Sequence, residues 1–254
     1  MIRLLTHYIL KAAAKDKLLL LFLILAAVVA CLSIFLGSSA ITEKDQFSLV
    51  FMASALRLGG VITLILFIIF YLRRSFESHD LEFLLTRPIS RLQFLMAHIL
   101  AFSILATVLV ALIMLALAMI PTAGGYGTAY FLWSFSIWIE FLIVANVALF
   151  FGLFLSSAMA ASLSCLAFYV LARMIGGILG IIQYEADEST VIKMVEKLML
   201  LISVFVPRLD LVGKTSWLVY EGSLATLGFF MLQAFVFCGL LASASWFELR
   251  RRQF

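Results

Sequence analysis

Apolar and polar positions fall into long blocks along this chain. Runs near or above the ~20 residues that cross a bilayer as helix are divided by short charged stretches. Leu18 to Ser38 carries no charge, and a short polar loop with Glu43, Lys44 and Asp45 follows. Phe47 to Leu72 is apolar except at Arg57. Leu92 to Ile120 ends at Pro121 and the loop TAGGYGT, where proline and glycine punctuate the chain. Tyr130 to Leu155 contains Glu140 and Asn146, with Trp133 and Trp138 toward one end, where aromatic belts lie. Ser162 to Gln183 is interrupted by Arg173 and by the pair Gly176–Gly177. Gly222 to Phe247 precedes Arg250, Arg251 and Arg252. The pattern predicts six transmembrane helices and an all-α polytopic membrane protein.

Three further stretches do not fit a span. Met1 to Lys17 is basic and amphipathic: Arg3, His7, Lys11 and Lys15 recur every fourth residue, with Ile2, Leu5, Ile9, Ala12 and Ala13 opposite. That pattern predicts a helix lying in the interface of an anionic leaflet. Tyr184 to Glu221 is too broken for a span. Lys193, Glu196 and Lys197 shorten its apolar part, and Pro207, Arg208, Asp210, Gly213 and Lys214 interrupt the rest. It predicts short re-entrant helices, since irregular backbone is tolerated at membrane depth only beside protein or water. The third stretch, Arg73 to Gln93, is the longest charged interruption. Its apolar residues and the Ser78, Glu82, Thr86 row predict a short helix over 75–86 on the membrane surface. Pro88 stops it. Ser90 and Gln93 then have the spacing of a capping box, and Ile89 and Phe94 that of a hydrophobic staple.

Composition narrows the class. The 254 residues are 65% hydrophobic and 13% charged, with mean hydropathy +1.18. Soluble domains are about half apolar and one quarter charged, so one membrane domain accounts for the chain. The net charge of +4 sits beside the spans, which suits topology and lipid headgroups and not nucleic acid. With six spans, the basic N-terminus, the 73–91 segment and the Arg tail share one side, nominated as cytoplasmic by the positive-inside bias. Cys31, Cys165 and Cys238 lie inside apolar runs without metal-ligand spacing and read as packing residues. The first apolar run is too long for a cleavable signal. No phosphate-binding GxxxxGK[ST], zinc-type HExxH or nucleophile GxSxG occurs, and His7, His79 and His98 are scattered. A catalytic role is not expected, and any ATP hydrolysis would belong to another polypeptide.

The run LEFLLTRPISRLQFLMAHIL resembles the segment of ABC-2-type transporter permeases in which an acidic residue and apolar residues precede x-x-Pro-x-Ser/Thr-Arg. The closing FELRRRQF is similar to that family's Arg-rich finish. The resemblance implies six spans over 18–72, 92–183 and 222–247, an interfacial helix over 1–17, a coupling segment over 73–91, a re-entrant segment over 184–221 and a cytoplasmic tail over 248–254. It implies that the coupling helix docks on a separate ATPase, which binds the ATP and Mg; no cofactor is expected in this chain. Phe76, Glu77, Asp80, Glu82, Arg87, Pro88 and Arg91 would form that contact. The implied partners are two ATPase copies, a second permease subunit, identical or paralogous, and membrane lipids. The implied activity is export of an amphipathic or lipid-like substrate across a prokaryotic cytoplasmic membrane. A scaffold subunit without its own transport path is the alternative.

Arg57, Glu140 and Arg173 remain. A charge inside a span costs about 2.5–3.5 kcal/mol on insertion scales. Counted along their spans, all three lie ~15 Å below the outer surface at 1.5 Å per residue. They predict either an ion pair holding helices together, with the second arginine on a carbonyl or Asn146, or a polar cavity facing an anionic substrate group.

Overall fold

Backbone groups have no water to bond in hydrocarbon, so apolar runs of this length satisfy themselves as helices. The computed structural model describes residues 2–39, 44–77, 90–120, 127–185, 194–195, 197–198, 201–202, 206–220 and 224–251, and the side chains at 181–185 and 224–225 are not described. The long elements are α1 (Ile2–Lys15), α2 (Lys17–Ser39), α3 (Lys44–Glu77), α4 (Arg91–Leu117), α5 (Thr128–Phe154), α6 (Ala158–Glu185) and α7 (Leu224–Arg251). Two short 3-10 turns, Leu209–Leu211 and Thr215–Leu218, lie between α6 and α7. The described residues contain no strand. Six helices, α2 to α7, are long and apolar enough to cross a membrane.

The bundle is arranged around α5, which touches α3, α4, α6 and α7. Trp133 and Phe141 on α5 are fully buried. Trp133 therefore packs in the core and not in an aromatic belt. Its neighbour Trp138 is half-buried and donates from Nε1 to Thr107 Oγ1 at 2.9 Å, tying α5 to α4. Tyr130 adds a second tie to α4, donating to the Met114 carbonyl at 2.6 Å.

α2 is largely exposed and leans on α3. Ser33 Oγ donates to the Ser48 carbonyl at 2.6 Å, and Ser48 Oγ donates back to the Ser33 carbonyl at 3.1 Å. Between apolar helices in lipid, such small polar residues replace the hydrophobic drive as glue. Gly59 lies under Leu25 on the same seam. α1 turns Leu5, Ile9 and Ala13 inward against α4, while Ile2 is exposed. The break between α1 and α2 falls at Asp16, whose Oδ1 accepts from the Leu18 amide at 3.2 Å and so caps α2.

α3 corrects one expectation. It continues unbroken through Glu77, so residues 75–77 are the last turn of the second span and not the start of a separate surface helix. Phe76 and Glu77 belong to that turn. Nothing between Leu72 and Glu77 breaks a helix, and adding a residue to an existing helix is easier than nucleating a new one. The rest of the expected surface helix, the Ile89 partner of the staple, and Asp80, Glu82, Arg87 and Pro88 lie outside the described residues. The capping box does form: Ser90 Oγ accepts from the Gln93 amide at 3.2 Å, and Gln93 Oε1 accepts from the Ser90 amide at 3.3 Å. In the 184–221 segment, Met194, Val195, Lys197, Leu198, Leu201 and Ile202 are helical and exposed.

Glycines at two positions test the packing. A Cβ on Gly60 would lie 2.7 Å from Phe141 Cζ, where α3 meets α5. One on Gly177 would meet nothing within 4 Å. We expect Gly60→Val to cost about 1–3 kcal/mol by overpacking and to lower the unfolding temperature in detergent. Gly177→Ala should be neutral or stabilising by up to about 1 kcal/mol, through helix propensity. Equal melting shifts for the two variants would contradict the α3–α5 packing.

Candidate functional site

Each intramembrane charge is carried by a different long helix: Arg57 by α3, Glu140 by α5 and Arg173 by α6. Those helices adjoin one another, and the three side chains meet. Arg57 Nε donates to Glu140 Oε1 at 3.0 Å, and its Nη2 pairs with Oε2, giving a two-pronged guanidinium–carboxylate contact. Tyr169, one turn before Arg173 on α6, donates its hydroxyl to Glu140 Oε1 at 2.8 Å. Arg173 Nη1 approaches Glu140 Oε2 at 3.9 Å. The carboxylate has no exposed surface.

Two guanidiniums facing one carboxylate leave one positive charge in excess. The segment between α6 and α7 absorbs it with backbone oxygens. Arg173 Nη1 donates to the carbonyls of Leu209 and Val212, the latter at 3.0 Å, and Nη2 to that of Gly213 at 3.4 Å. Arg57 Nη1 also donates to the Gly213 carbonyl. The Gly213 amide in turn donates to Ser136 Oγ at 3.1 Å, one turn before Glu140 on α5. Gly213 has φ +61°, and a Cβ there would lie 2.9 Å from Ile137 Cδ1 and 3.0 Å from Arg57 Cζ. Glycine is required at this position for both reasons.

The segment is anchored at its start as well. Arg208 Nη2 pairs with Asp210 Oδ2 at 2.9 Å, and the Asp210 carboxylate fits against Gly176 on α6. The Arg208 amide donates to Gln233 Oε1 on α7 at 3.3 Å, and Gln233 Nε2 donates to the Val206 carbonyl at 3.4 Å. Irregular backbone is thus bonded to protein at the depth of the charges.

Asn146 is not part of this cluster. Its Nδ2 donates to the Leu142 carbonyl of its own helix at 2.8 Å. Tyr169, Ser136 and Gly213 are members that the sequence reading did not single out. The first two carried a usable signal, since each stands four residues before a charged member on one helix face. Gly213 carried none beyond its polar surroundings.

Of the coupling residues, Arg91 is placed at a junction. Its Nη1 donates to the Leu249 carbonyl at 3.0 Å and to the Arg250 carbonyl at 2.8 Å. It thereby caps the last turn of α7, whose terminal carbonyls lack helical partners. The start of α4 and the end of α7 are thereby tied together.

Compared with known proteins, the chain matches no family model and no curated protein.

The cluster predicts an order of stabilities. Removing one partner of a buried ion pair costs about 3–5 kcal/mol, because the other charge is stranded. Glu140→Gln, which strands two arginines, should cause the largest fall in unfolding temperature and in monodisperse yield. Arg173→Gln should cost less, since the Arg173 side chain is 29% exposed and leaves the Arg57–Glu140 pair intact. Gly213→Val should fall between them. The reverse order would show that the loop carbonyls, and not the ion pair, hold the cluster.

Proposed function

We propose that this chain is the membrane-spanning permease subunit of an ATP-binding-cassette transporter of the ABC-2 type. It moves an amphipathic or lipid-like substrate outward across the cytoplasmic membrane of a prokaryote. ATP and Mg are bound by two copies of a separate ATPase, and a second permease subunit, identical or paralogous, completes the transport path. Both termini and the 73–91 segment face the cytoplasm, with the 184–221 segment outside.

The observation that carries the reading is the charged stretch Arg73–Gln93 between the second and third of six apolar spans. Its RPISR run, the capped start at Ser90 and the Arg-rich end of the last span resemble the permease family. The mechanical arrangement suits that role. A push on the stretch between α3 and α4 acts at once on the end of α3 and on the start of α4. Through Arg91 it also reaches the end of α7. A transmitted rocking of packed helices is how a remote ATPase drives such a subunit. The Arg57–Glu140–Arg173 cluster then serves as the joint where α3, α5, α6 and the loop before α7 are held. Arg173, the more exposed arginine, is the group a substrate's acidic headgroup would meet.

The test begins with purification from native membranes. We expect an ATP-binding-cassette ATPase to co-purify. Charge reversal of Asp80 and Glu82 should remove it without lowering the permease's own unfolding temperature, because a broken interfacial charge pair costs about 2–5 kcal/mol of binding. Co-purification at wild-type yield with normal transport would exclude this stretch as the docking site. Retention of the fold with no ATPase under any condition would favour a scaffold subunit.

Topology gives an independent check. A reporter fused after Phe254 should be active only on the cytoplasmic side, by the Arg/Lys distribution. Activity on the outer side would overturn the six-span orientation.

A further inference from the structure

At the basic end of the bundle, the turn between α1 and α2 faces the end of α3 across a half-open cavity of about 480 Å³. Its lining includes Tyr8, Lys15, Asp16, Lys17, Tyr71 and Arg74. The geometry points to a binding site for the phosphate-bearing headgroup of an anionic membrane phospholipid. This inference rests on the membrane-spanning architecture and is independent of the transport reading.

The charge arrangement is the first ground. Lys15, Lys17 and Arg74 are exposed, and among the described residues none of them forms an ion pair. Asp16 is the single acidic group in the lining, and its Oδ1 is already engaged by the Leu18 amide. Three cations from two separate parts of the chain therefore converge on one cavity and keep an excess of positive charge. The fold places all three in the lining of this one cavity.

Size and position are the second ground. The cavity falls within the roughly 300–1,000 Å³ range of small-ligand sites. It lies where α2 begins and α3 ends, so it opens at the edge of the apolar band and not within it. Basic pockets between helices at that level suit lipid headgroups. Tyr8 and Tyr71 add the amphipathic rings that favour the headgroup layer. Tyr71 is also held in place by rings from the core, with Phe67 at 5.8 Å and Phe102 at 6.2 Å between centroids. One wall of the site is thereby rigid.

A phosphate diester on a lipid and a free phosphate ion share this chemistry, and they are separable. The full chain, purified in neutral detergent, is titrated with phosphatidylglycerol, phosphatidylcholine or inorganic phosphate, and bound adducts are counted by native mass spectrometry. We expect phosphatidylglycerol to be retained over phosphatidylcholine. The triple variant Lys15→Gln, Lys17→Gln, Arg74→Gln should lower its affinity on the order of 100-fold, from roughly fivefold per basic side chain at an anionic surface. A control, Lys44→Gln, Lys197→Gln, Lys214→Gln, removes as many exposed positive charges from residues that do not line the cavity and should change affinity by less than about threefold, since the attraction falls off within a Debye length. The charge-preserving variant Lys15→Arg, Lys17→Arg, Arg74→Lys should retain binding and guards against loss through misfolding. Three results would each overturn the proposal: no preference for phosphatidylglycerol, equal retention of inorganic phosphate, or equal losses in the triple variant and the control.

Discussion

The Glu140 carboxylate has no exposed surface, and it sits in a bundle built almost wholly of apolar helices. An ion in such surroundings is tolerated only when charge and hydrogen bonds match it closely. Arg57 matches it with two prongs, Tyr169 with a hydroxyl and Arg173 with a more distant guanidinium. The three helices α3, α5 and α6 are therefore held at one register. Sliding any of them by a turn would leave a charge alone in a dry interior.

The same constraint explains the segment before α7. With one carboxylate and two guanidiniums, the surplus positive charge needs oxygens. The carbonyls of Leu209, Val212 and Gly213 supply them. Several carbonyls aimed at one point do not fit a continuous α-helix, and here Leu209 lies in a 3-10 turn while Val212 and Gly213 fall between the two turns. A positive φ at Gly213 closes the loop over the charges. The polarity of this segment and the charges within the spans thus have one origin.

The two ends of α3 are linked by this arrangement. At 34 residues α3 is about 50 Å long, well beyond the ~30 Å hydrocarbon core. Near its middle Arg57 is clamped, and at its basic end it carries Arg74 toward the α1–α2 turn. A force applied at Glu77 acts on a rigid rod held at the charge cluster. The end of α3 is also where the cavity places Lys15, Lys17 and Arg74, so an anionic headgroup there would bear on the same rod.

Much of the architecture was legible in the residues themselves. Six apolar runs become six long helices because hydrocarbon leaves the backbone no alternative. The capping box at Ser90 and Gln93 is a local interaction, readable over four residues. The approximate depth of Arg57, Glu140 and Arg173 also follows from counting residues along helices. What the chain in one dimension did not decide is rotation about each helix axis. In an apolar span every face reads alike, so the burial of Trp133, the separation of Asn146 from the cluster and the pairing of Arg57 before Arg173 were settled by helix packing. The continuation of α3 to Glu77 was settled by cooperativity, which pattern alone does not weigh. Gly213, Tyr169 and Ser136 entered the cluster through packing between elements. Their partners are distant in sequence, and only the tertiary fold brings a loop carbonyl to a buried guanidinium.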